Sequence, residues 1–152
     1  MIENLKYGGE MHLTLRGADG QVKDERHVKN TLLNGGKDWL IKSTMDSELT
    51  AMTVFTFGTT TSGGVVAATD TIATDVEEGR AAFTYASGAT VGKASATATF
   101  GSSASANAIT EAGIYNGTTT SGDGVFFARA MFAAINKVSG DTLEIKWDVA
   151  YS

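Results

Sequence analysis

Alternation of apolar and polar residues is the clearest signal in this chain. Met11, Leu13 and Leu15 fall on one side and His12, Thr14 and Arg16 on the other, the period of a half-buried strand. Gly17-Ala18-Asp19-Gly20 follows, and its Asp-Gly pair tolerates the positive φ of a hairpin turn. A second strand over residues 21–30 then pairs back, and its many charges place it at a sheet edge. Lys93–Phe100 sets Ala94, Ala96, Ala98 and Phe100 against Ser95, Thr97 and Thr99. Thr142–Tyr151 alternates most regularly, with Leu143, Ile145, Trp147, Val149 and Tyr151 opposite Glu144, Lys146 and Asp148. Residues 52–57, 80–86, 109–115 and 125–132 complete the predicted strands. Asn116-Gly117 and Ser139-Gly140-Asp141 are the turns between the last three.

One segment has a helical pattern. After Asn34-Gly35-Gly36, residues 37–45 place Trp39, Leu40 and Met45 along one face, with Asn34 or a neighbouring glycine as the cap. Residues 1–9, ending in Tyr7-Gly8-Gly9, show no period and read as a terminal arm. Residues 58–64 and 101–106 are small-residue connections, residues 65–79 have no clear period, and 75–79 read as a solvated turn. Seven or eight short strands at intervals of about ten residues predict a mainly β chain. The expected architecture is a two-sheet antiparallel β-sandwich, jelly-roll-like, with one short α-helix near residues 35–45. It forms a single domain over residues 10–152, behind the arm, without internal repeats.

Composition narrows the functional classes. The 152 residues carry 12 Lys and Arg against 17 Asp and Glu, a net charge of −5, which argues against binding nucleic acid, where a basic face must displace counterions from phosphates. No apolar run reaches the ~20 residues of a membrane-spanning helix, and the start, Met1-Ile2-Glu3-Asn4-Leu5-Lys6, lacks the pattern of a secretory signal. Without Cys there are no disulfides, thiol nucleophiles or thiolate metal sites. Ala and Thr at 21 each and Gly at 18, with no Pro, predict a surface of small neutral side chains. Glycine-rich loops lose much backbone freedom on ordering, a cost that assembly with other subunits helps to offset.

Templates for chemistry fail one by one. Gly88-Ala89-Thr90-Val91-Gly92-Lys93-Ala94 has one residue too few between its glycines for a phosphate-binding loop, and Ala94 has no hydroxyl for magnesium. No Gly-x-Ser-x-Gly elbow occurs, and His12 and His27 are the only imidazoles. These two fall on neighbouring strands of the first hairpin but lack an identified third ligand, so they read as surface histidines and no metal site is assigned. Asp70, Asp75, Glu77 and Glu78 lack calcium-loop spacing and read as solvated charge. Asn116-Gly117-Thr118 matches a glycosylation acceptor but reads as a turn. Phe126, Phe127, Phe132, Trp147 and Tyr151 lie in predicted strands, and together with Trp39 they are expected in the core rather than on a sugar platform. Glu111 and Arg129 each interrupt an otherwise small or apolar strand. The expected role is a structural ion pair that fixes register, with Arg80 as a rival partner for Glu111, and not general acid catalysis.

The run Ile109-Thr110-Glu111-Ala112-Gly113-Ile114-Tyr115-Asn116, then Phe127-Ala128-Arg129, then Gly140-Asp141-Thr142-Leu143-Glu144-Ile145-Lys146-Trp147, resembles small virion structural proteins of tailed bacteriophages. Gly35-Gly36-Lys37 with Trp39-Leu40, and Thr56-Phe57-Gly58-Thr59 opening a loop, are similar in order to the same group. The resemblance implies a non-enzymatic, cofactor-free head decoration (cement) protein. Such a protein assembles in the bacterial cytoplasm as a dimer or trimer and binds the major capsid protein on the capsid surface. The alternative it implies is a tail, baseplate or fibre-attachment module, with a host glycan as a candidate ligand. A hydrolase or metal-dependent enzyme is the remaining reading, and would rest on Glu111, His12 or His27.

Overall fold

The computed structural model describes residues 6–45, 51–59, 76–101, 106–116 and 125–151. Among them the chain forms β1 (Tyr7–Arg16), β2 (Val22–Lys29), β3 (Thr31–Leu32), α1 (Asn34–Lys42), β4 (Val54–Thr59), β5 (Val76–Ala82), β6 (Thr84–Ser87), β7 (Lys93–Phe100), β8 (Ala106–Tyr115), β9 (Phe126–Lys137) and β10 (Thr142–Tyr151). The strands make two antiparallel five-stranded sheets. One has the order β2-β1-β10-β7-β6 and the other β3-β9-β8-β4-β5. They stack as a sandwich rather than closing into a barrel, so the mainly β, two-sheet architecture read from the alternation is the one observed.

The core lies between the sheets and follows from the period-2 pattern. Met11, Leu13 and Leu15 of β1, Ala96, Ala98 and Phe100 of β7, and Leu143, Ile145 and Trp147 of β10 meet Phe55 and Phe57 of β4, Ala112 and Ile114 of β8, and Ala128 and Ala130 of β9. Aromatic pairs bridge the layers: Phe55 lies 5.7 Å from Trp147, and Phe57 meets Phe100 edge-on at 4.5 Å. Each such side chain contributes about 1.5–3 kcal/mol when fully removed from water. At one end of the core Trp39, Phe127, Tyr7 and Tyr151 form a chain of ring contacts. Phe132 is half-buried against the core.

The chain changes sheets four times, and at two of these crossings a single residue separates a strand of one sheet from a strand of the other. β2 leaves the first sheet at Asn30 and continues as β3 of the second; β5 leaves the second at Phe83 and continues as β6 of the first. Asn30 is held at its corner by three hydrogen bonds. Its backbone N–H donates to the Gly9 carbonyl at 3.0 Å, its Nδ2 donates to the Tyr7 hydroxyl at 3.0 Å, and its Oδ1 accepts from Trp147 Nε1 at 3.0 Å. A Cβ at Gly9 would lie 1.8 Å from Asn30 Oδ1, so the close approach requires glycine. Burial pushes the Tyr7 hydroxyl well above its usual pKa, only partly opposed by the Asn30 hydrogen bond, so it stays a neutral phenol. Asn30→Leu is expected to destabilise by about 1–3 kcal/mol, because the buried indole N–H loses its acceptor. Chemical denaturation monitored by fluorescence measures this, and an unchanged midpoint would remove the corner from the account.

Several expectations need correction. Tyr7, Gly8 and Gly9 are not an arm: they open β1, opposite Tyr151, Ala150 and Val149. Residues 1–5 lie outside the described residues. The helix starts three residues earlier than its periodic face, at Asn34, and its N-cap is Leu33 without a side-chain cap, because the preceding β3 delivers the chain extended onto β9. Met45 lies past the helix end and is exposed, while Trp39 and Leu40 pack on the core. Residues 76–79, read as part of a turn, belong to β5, because their backbone pairs with Phe57–Thr59 of β4. The expected strand over 80–86 divides at Phe83 between the two sheets. β9 runs on to Lys137, beyond the expected end at 132, because its pairing with β8 continues through Ile135 and Lys137. The loop over 60–64 and Asp70 and Asp75 fall outside the described residues, as do Gly117 and Thr118.

Candidate functional site

Buried charge concentrates on the second sheet. Ala112 and Ile114 of β8 face the core, so Glu111, Gly113 and Tyr115 point to the opposite face, yet all five positions are buried. On β9, Arg129 lies directly opposite Gly113 and Met131 opposite Glu111, which makes Arg129 and Glu111 diagonal neighbours. A long side chain spans that diagonal, and the bare Gly113 position leaves room for it. Arg129 Nε donates to Glu111 Oε2 at 2.7 Å, and Arg129 Nη2 donates to the same oxygen. Glu111 is fully buried and Arg129 is 5% exposed. Arg80, the rival partner, lies with its guanidinium 4.7 Å from the centre of the Tyr115 ring, which itself stacks on Phe126. In register between Arg80 and Gly113, Thr56 buries a hydroxyl that has no hydrogen-bond partner among the described residues. What this arrangement does chemically is bind a cation and an anion to one another across the β8–β9 pairing.

The first sheet has a different outer face, polar and open to water. Its register forms a grid. Lys29 of β2, Glu10 of β1, Asp148 of β10 and Ser95 of β7 share one row; His27, His12, Lys146 and Thr97 share the next. His12 and His27 are directly opposite, their rings 4.2 Å apart and edge-to-face. Glu10, two residues before His12, projects from the same face, and one donor atom from each of Glu10, His12 and His27 lies within 4.8 Å of the others. His12 Nε2 is also 3.4 Å from Asp148 Oδ2, the atom that accepts a hydrogen bond from Lys146 Nζ at 3.1 Å. The sequence shows the two histidines as neighbours, and Glu10 joins them from β1 itself; the convergence of Asp148 on them requires the pairing of β1 with β10, the first strand with the last.

Beside this cluster runs an open groove of about 730 Å³, whose lining includes Gly8, Glu10, Lys29, Lys93, Asp148 and Ala150. A side chain at Gly8 would meet nothing within 4 Å, so the groove floor there is open. Gly88 also lines it, in the turn that the phosphate-loop comparison excluded: Gly88 N–H donates to the Lys93 carbonyl and Gly92 takes a positive φ of 79°, the geometry of a β6–β7 turn.

Asp141 carries no sequence signal beyond its place in the Ser139-Gly140-Asp141 turn. It is buried at the β9–β10 turn, accepts from Lys23 Nζ at 2.7 Å and from the Val138 N–H at 3.2 Å, and so ties the start of β2 to that turn. The Lys23 hydrogen bond above all holds its carboxyl below the usual range. Comparison of the chain with family models, with curated proteins and with solved structures returns no match.

Proposed function

We propose that this chain is a non-enzymatic virion structural protein of the head decoration type, which binds the major capsid protein on the outside of the shell and stabilises the head. The virion setting comes from the resemblance of the segments around Ile109–Asn116 and Gly140–Trp147 to tailed-phage structural proteins. The structural observation that supports an assembly role is that β6 is an edge strand of the first sheet among the described residues. All four of its residues are exposed, Tyr85 is 68% exposed, and the strand pairs with β7 along one side. An edge of this kind presents backbone donors and acceptors to which a strand of another subunit can add. The buried carboxylates, by contrast, are engaged inside the fold, Glu111 with Arg129 and Asp141 with Lys23.

On this reading each lattice contact is weak by itself and many copies act together. Stoichiometry in purified particles tests it. A copy number comparable with that of the major capsid protein, and heat rupture at lower temperature when the protein is missing, are the expected results. A few copies confined to the tail would replace this reading with a tail or baseplate module. Turnover of a substrate that is lost on replacing Glu111, His12 or His27 would replace it with an enzyme.

A further inference from the structure

We infer that Glu10, His12 and His27 form a binding site for a divalent transition-metal ion of the zinc type, clamping the edge strand β2 to β1, with Asp148 available as a fourth ligand. The inference stands on the geometry of the outer face of the first sheet and is independent of the virion reading.

The donor set selects the metal. Two imidazoles and one or two carboxylates suit zinc, nickel or copper, whereas calcium and magnesium take oxygen donors almost throughout. The three donor atoms lie within 4.8 Å of one another. An ion centred among donors that far apart would sit about 2.8 Å from each, so zinc bonds of ~2.0–2.2 Å need less than an ångström of movement from each side chain. The backbone is already in place. His12 and His27 are a directly opposed cross-strand pair, and Glu10 is on the same face of the same strand as His12. The side chains that must shift are on a solvent face, so no core packing opposes them.

Two lysines compete. Lys29 is opposite Glu10 in register, and Lys146 holds Asp148. Asp148 and Lys146 are both substantially exposed, and ion pairs of that sort are screened strongly by water. A doubly charged ion with direct bonds to the carboxylates displaces them. Glu10 and Asp148 also line the groove, so the site lies at its margin. Three protein ligands with an open position is the arrangement that admits water or an outside ligand.

The test uses the full chain, purified without a histidine tag and stripped of metal by chelator. Titration with Zn(II) followed by calorimetry is expected to saturate at one ion per chain. Co(II) in its place is expected to give the visible absorption of a low-coordinate site, which Zn(II) then abolishes. His12→Asn and His27→Asn should each weaken Zn(II) binding by about tenfold or more, at least the loss seen when metal-site partners are removed. Glu144→Gln, on the same face but outside the cluster, should leave it unchanged. Far-ultraviolet spectra verify that each variant folds, and the wild-type Co(II) spectrum stands without any variant. A flat Zn(II) titration, a Co(II) spectrum without visible bands, uptake that survives both histidine substitutions, or an equal loss with Glu144→Gln would each overturn the site.

Discussion

Glu111→Gln is expected to lower the unfolding free energy by about 3–5 kcal/mol, the range for removing one partner of a buried ion pair. Arg129 directs two nitrogens at a single carboxylate oxygen, and the two side chains are 0% and 6% exposed, so water cannot take over the role of the lost charge. The amide is nearly the same shape as the carboxylate. The loss therefore reports the uncompensated guanidinium rather than a cavity. Replacing both partners by apolar residues of similar size, Glu111→Leu with Arg129→Met, should recover most of the stability, because the desolvation of two charges disappears with them. Denaturant unfolding of Glu111→Leu, Arg129→Met and the double variant measures the coupling as a cycle. A Glu111→Gln protein as stable as the parent would show that the pair does not hold β8 and β9 in register, and would reopen the question of what a buried carboxylate does there.

Gly36→Ala is expected to destabilise by about 2–3 kcal/mol net, although alanine favours helix over glycine by about 1 kcal/mol. The reason is contact. A Cβ at position 36 would lie 2.2 Å from the Phe127 carbonyl oxygen and 2.9 Å from that residue's Cα and carbonyl carbon, all backbone of β9. A flexible side chain could swing away; a paired strand cannot, and the same carbonyl accepts from the Leu33 N–H at 2.9 Å just before the helix. Either α1 lifts off β9, exposing Trp39, or β9 shifts. Gly35→Ala is the control within the same turn. Its Cβ would come only within 3.2 Å of the Phe126 carbonyl oxygen and a Val125 methyl, so propensity and crowding nearly cancel and the change should stay within about 1 kcal/mol. Equal midpoints for the two alanine variants would rule out the close seating of the helix on β9.

Some features of the candidate sites were readable without the fold. Glu111 and Arg129 stand out because a charge in the middle of an apolar strand is costly unless it is paired, and adjacent strands joined by one connection are natural neighbours. That Arg129 reaches Glu111 was not readable, since it depends on the register of β8 against β9 and on the bare Gly113 position that Arg129 spans. His12 and His27 were readable as a pair from the first hairpin. Glu10 was not, because the alternation begins at Met11 while β1 begins at Tyr7, and Asp148 was not, because no local pattern brings the first strand beside the last. Asn30 carried no signal at all: its two ring partners, Tyr7 and Trp147, come from strands remote in sequence.

The sequence by itself determined which residues face the core. In β1, β7 and β10 one face is dry and one is wet, and the pleat transcribes that difference directly into alternation. The tertiary structure alone decided where both faces are buried, as in β4 and the middle of β8, and where the chain changes sheets at Asn30 and Phe83. It also decided that the charged segment 76–79 is an edge strand. Burial on both faces erases the period, and edge pairing and sheet switching are settled by backbone hydrogen bonds to distant strands, which leave no mark on the local order of side chains.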